Sequence, residues 1–91
     1  MKFNTFASHS YRGNTCPVSI CVEKRDGLIF VSVTNDIWDQ PAVADIHFVG
    51  HELRFETEGA EGKHIFAVRD SHGPPKSISV MFAELAPRQP A

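Results

Sequence analysis

Five histidines, two cysteines and an acid-rich stretch are the residues of this chain whose types could do chemistry. A zinc site needs three or four ligands converging from neighbouring elements. His47 and His51 stand four apart, a spacing that converges on a helix but not across a strand turn. His64 shares its predicted strand face with Phe66 and Val68, which reads as a hydrogen-bonded histidine at the mouth of a sheet rather than a metal ligand. His9 and His72 fall in or beside irregular segments. Cys16 and Cys21 are separated by four residues, not by the two of a zinc knuckle or redox pair. On one strand they would face opposite sides, which makes a disulfide between them geometrically poor. Two ordinary thiols are expected.

Asp70-Ser71-His72 holds the three residue types of a hydrolase relay. Relay side chains must meet in space, and consecutive residues splay apart; no nucleophile elbow surrounds Ser71. A polar turn is the reading. Glu52, Glu56, Glu58 and Glu61 are acidic neighbours. Glycoside chemistry needs carboxylates at set separations across a cleft, whereas Glu52 and Glu56 flank Arg54 on a predicted outward face. Trp38 stands out more. It is the single tryptophan, it sits in the longest connection between periodic segments, and Asp36 and Asp39 flank it. A loop tryptophan is either a binding hot spot or a plug for the open end of a small β domain.

The elements that must position these residues follow from composition and periodicity. Ninety-one residues make one domain with a thin core. Hydrophobic residues are 42% and charged residues 22%, a globular balance. The net charge of −2 and the scattered Lys and Arg argue against a nucleic-acid partner. The N-terminal Met1-Lys2-Phe3-Asn4 has no apolar signal region, and the longest strongly apolar run, Leu28 to Val33, is too short to span a bilayer. No membrane association and a cytoplasmic location are the expectation. No cofactor motif is present.

From Pro17 the hydrophobic period is two. Val18, Ile20 and Val22 alternate with polar neighbours, and Asp26-Gly27 is a hairpin signal, because both turn positions must tolerate positive φ. Leu28 to Val33 is the partner strand, apolar on both faces. Alternation resumes over 42–49, turns at Gly50-His51, runs on to Glu58, reverses near Gly59 to Gly62 and continues over 63–69. A last strand is expected from about Lys76 to Glu84, with Ile78, Val80 and Phe82 inward. Residues 1–15 read as an N-terminal arm or edge strand with a turn at Gly13-Asn14, 16–85 as the β domain, and 86–91 as a flexible tail.

The fold class expected is all-β: a small antiparallel β-meander of about six strands, an open barrel or sandwich that dimerisation could complete. An open meander leaves unpaired edges. The outer face also keeps apolar residues: Ile29, Val31 and Val33 or their neighbours, with Val43, Val49, Ile65, Ala67 and Met81. Small size, absent catalytic motif and this second apolar face point to a non-enzymatic module that binds a protein partner or a second copy of itself. Trp38, Asp36, Asp39, His64 and His47 are the candidate binding residues. The alternative is a small apolar-ligand binder of calycin-like type, formed by a dimer of meanders. An enzyme would need His64, His47 and a carboxylate at one cleft.

Overall fold

The computed structural model describes residues 2–34, 41–59, 62–69 and 78–85. Six strands, β1 (Lys2–Tyr11), β2 (Asn14–Arg25), β3 (Leu28–Val33), β4 (Ala42–Val49), β5 (Glu52–Gly59) and β6 (Gly62–Arg69), are followed by one helix, α1 (Ile78–Leu85). All neighbouring strands are antiparallel and the order is that of the sequence. The sheet closes on itself where β1 meets β6.

The hairpins follow from their turn residues. Asp26 and Gly27 have φ of 54° and 79°, the doubly positive backbone that matches the twist of two strands joined by a two-residue loop. Arg12 and Gly13 repeat it at 50° and 80°, so the first turn lies one residue earlier than Gly13-Asn14. At Gly50-His51 only the glycine is positive, at 60°.

Alternation places the core. Odd residues of β1, β3 and β5 and even residues of β2, β4 and β6 point inward. Ile20, Val22, Val31, Leu53, Phe55, Phe66 and Val68 are completely buried, and together they fill the barrel, as six strands leave room for side chains only.

Four expectations are corrected. The edges of an open meander are absent, because β1 pairs with β6 through Ser8↔Ala67, His9↔Phe66 and Ser10↔Ile65. The N-terminal segment is not irregular: Lys2 to Tyr11 is a strand paired along its whole length with β2. Of the two sets of β3 residues, Ile29, Val31 and Val33 are the ones in the core, and Met81, expected on the outer face, is buried too; β3 is apolar on both sides, and only the register decides which set turns in. The last element is a helix. Ile78, Met81 and Leu85 are buried and Phe82 packs against the core, while Val80 is 47% exposed. That i, i+3, i+4, i+7 stripe is a helix face. Phe82 meets Phe48 of β4 with ring centroids 5.4 Å apart. This places α1 at the barrel end that carries the Asp26–Gly27 and Gly50–His51 turns. Among the described residues no helix is long and apolar enough to cross a membrane.

Candidate functional site

Trp38, Asp36 and Asp39 lie outside the described residues, as do Glu61 and Asp70-Ser71-His72. His47 and His64 are described, and they point to opposite sides of the sheet. His47 projects from β4 to the exterior, where its Nε2 lies 2.9 Å from Glu56 Oε2. His64 projects inward from β6. The shared cleft that an enzyme reading would need is therefore not formed by these two.

The inward residues near the Arg12–Gly13 turn make a different cluster. His9 and Tyr11 come from β1, His64 and Phe66 from β6. His9 Nε2 and His64 Nδ1 share a hydrogen bond of 2.8 Å. The bond uses one N–H and one lone pair, so one ring donates and the other accepts. His9 stacks on Phe66 at 4.5 Å and on His64 at 5.0 Å, and Tyr11 lies 4.0 Å from His64. Arg12 sits 5.1 Å above the Tyr11 ring. Four rings thus line the mouth of the barrel, and each histidine spends a ring nitrogen on the other. His64 was legible as a mouth histidine. His9 and Tyr11 were not, although the odd positions Phe3, Thr5, Ala7, His9 and Tyr11 carry a period of two. Among the described residues no three His, Cys, Asp or Glu side chains stand close enough to hold a metal ion. Cys16 and Cys21 are free thiols.

The acidic stretch forms an ion-pair fork on the outside of β5 and β6. Glu52 Oε1 accepts from Arg69 at 2.6 Å and Oε2 accepts from Arg54 Nε at 3.0 Å. Hydrogen bonds from Arg69 first and Arg54 second hold the Glu52 carboxyl below its ordinary value, against the opposing effect of burial.

Two seams of the barrel are short, and they lie on opposite sides, three strands apart. One is β1–β6. The other is β3–β4, joined among the described residues through Ile29↔Ala44, Phe30↔Val43 and Val31↔Ala42. Among the described residues, Ile46 to Val49 of β4 pair with β5 on one side and have no strand on the other. Beside that edge opens a cleft of about 280 Å³, lined by Leu28, Val43, Asp45, Ile46, His47 and Leu85 among others. Leu28 and Val43 are about half exposed there, at 48% and 52%.

Comparison with protein-family models, curated proteins and solved structures finds no match.

Proposed function

We propose that the protein is a non-catalytic binding module that takes up an extended, partly apolar segment of a protein partner at the β3–β4 seam. The observation that carries this reading is that, among the described residues, Ile46–Val49 have no strand on the side of the Leu28–Val43 cleft. An added strand would complete the missing backbone hydrogen bonds, and alternate side chains would enter the cleft. Backbone groups supply affinity in this mode, and the half-exposed Leu28 and Val43 supply the apolar contact that selects the segment. His47 and Asp45 border the cleft with polar groups, which is a role for His47 on the exterior. The interior is occupied by side chains, so the surface supports binding better than a small apolar ligand inside the barrel does.

A displayed library of ten-residue peptides, selected on the intact chain, tests the proposal. Bound peptides are expected to shift the amide resonances of Ile46 to Val49 and the methyl resonances of Leu28 and Val43. Val43→Asp is expected to weaken the selected peptide at least tenfold, about 1.4 kcal/mol, with the melting temperature held. Peptides that map elsewhere would overturn the proposal, as would a small apolar molecule retained in native mass spectrometry with its contacts inside the barrel.

A further inference from the structure

The charged residues are unevenly spread over the barrel wall. The outer sides of β4 and β5 carry Asp45, Glu52, Arg54, Glu56 and Glu58. The middle of the outer wall formed by β6, β1 and β2 carries none. There the register sets Ser8 between Pro17 and Ala67, and Ser10 between Thr15 and Ile65. Phe6 stands at the lower end of this wall, beside Ser19, and is 60% exposed, the most exposed large hydrophobic residue described. Ser10 and Thr15 share one hydroxyl–hydroxyl hydrogen bond of 2.9 Å. Lys2, Glu23 and Arg69 border the wall at one end and Arg12 and Lys63 at the other.

We infer that this uncharged wall is the surface on which two copies of the chain meet, with Phe6 of each seated on Ser8 and Ala67 of the other. Four arguments lead there. Protein interfaces are marked by depletion of charge and enrichment of aromatic residues at their centres. Each copy carries a net charge of −2, so two copies approach at least cost through a wall that has no ion to desolvate. A two-fold contact must be self-complementary, and one projecting ring beside small Ser and Ala side chains supplies both knob and seat. The rim carries both Lys and Glu side chains, so charges of either sign are available around the contact.

Size fixes the strength expected. Three strands wide and six residues long, the wall covers about 14 Å by about 20 Å. That is about 280 Å² of projected wall per copy, well below the ~800 Å² per partner of a standard interface. The pair is therefore weak, dissociating at micromolar or higher concentration. This surface lies opposite the β3–β4 seam and stands independently of what that seam binds.

Sedimentation velocity on the intact chain over roughly 10 to 500 μM, the range such an interface implies, tests the inference. The mass is expected to rise from the 10.1 kDa monomer towards twice that value. Phe6→Lys and Phe6→Glu are both expected to weaken association about tenfold or more, since either sign buries an ion. Ser8→Glu repeats the test at a second position, and unchanged melting temperatures show that the variants fold. A monomer at every concentration would overturn the inference. So would a dimer that survives both Phe6 variants, or one strengthened by Phe6→Lys, which would mark simple relief of net charge. Leu28→Asp separates the two surfaces: loss of the dimer there, with Phe6 variants still paired, would move self-association to the β3–β4 seam and contradict the assignment. Peptide binding at that seam by a strictly monomeric chain would leave the binding proposal intact.

Discussion

His9 Nε2 and His64 Nδ1 lie 2.8 Å apart, although 55 residues separate them in the chain. The bond crosses the seam at which the barrel closes. Among the described residues β1 and β6 are joined by Ser8↔Ala67, His9↔Phe66 and Ser10↔Ile65, so side chains carry a large share of this junction. His64→Ala removes the bond and two ring contacts and leaves His9 without that partner. A loss of about 1–3 kcal/mol is expected, read by urea denaturation. His9→Ala should lose a similar amount, and the double variant less than the sum, because both remove one interaction.

Thr5 is a second interior group whose chemistry can be checked. It is 7% exposed, faces Ile20 across the β1–β2 hairpin, and its Oγ1 is buried without a hydrogen-bond partner. Thr5→Val keeps the shape and removes the stranded hydroxyl. A gain of about 1 kcal/mol is expected, which raises the melting temperature by roughly 4–8 °C for a domain of this size.

Acid should act on the Glu52 fork. The folded carboxyl is held below its ordinary value by Arg69 and Arg54. The unfolded chain therefore binds this proton more readily, and the stabilisation is present above the ordinary glutamate value and is lost as pH falls through the folded one. Glu52→Gln is expected to lower stability by about 1 kcal/mol at neutral pH and to flatten the decline as pH falls below the ordinary glutamate value. Equal slopes for the two proteins in thermal scans over that pH range would contradict the fork.

The helix is tested by a pair of lysines. Met81 is 3% exposed and Val80 is 47% exposed. Met81→Lys buries a charge and is expected to cost about 3 kcal/mol or more, whereas Val80→Lys should change stability by about 0.5 kcal/mol or less. A strand with Ile78, Val80 and Phe82 inward would give the opposite order.

The readable parts of the fold are those where turn chemistry and period agree. Asp26-Gly27 announces the β2–β3 hairpin, and Gly50-His51 with Gly59 and Gly62 marks the reversals around β5. β1 was hidden because its hydrophobicity is inverted: Thr5 and Ala7 turn inward while Phe6 turns out, so the core side of the strand looks polar. β3 carries apolar residues on both sides, and its parity is decided by the register Val22↔Val31 rather than by composition. α1 was masked by Val80, whose presence between Ile78 and Phe82 imitates a strand over a segment only two turns long. The site was legible in the same uneven way. His64 declares itself by sharing a face with Phe66 and Val68, but its partner His9 belongs to the strand that composition conceals. His47 and His64 are alike in type, but β4 and β6 both turn their even residues inward, so odd-numbered His47 points out and even-numbered His64 points in.

Closure of the barrel is the claim on which the rest depends. Without the β1–β6 seam, the uncharged wall around Phe6 is not continuous, and the β3–β4 edge is not the one opposite a closed junction. A nitrogen-edited nuclear Overhauser spectrum of the intact chain tests it directly. Cross-peaks linking Ser8, His9 and Ser10 to Ile65, Phe66 and Ala67 are expected in antiparallel register. Cross-peaks from β1 to β2 alone, with none to β6, would contradict the account.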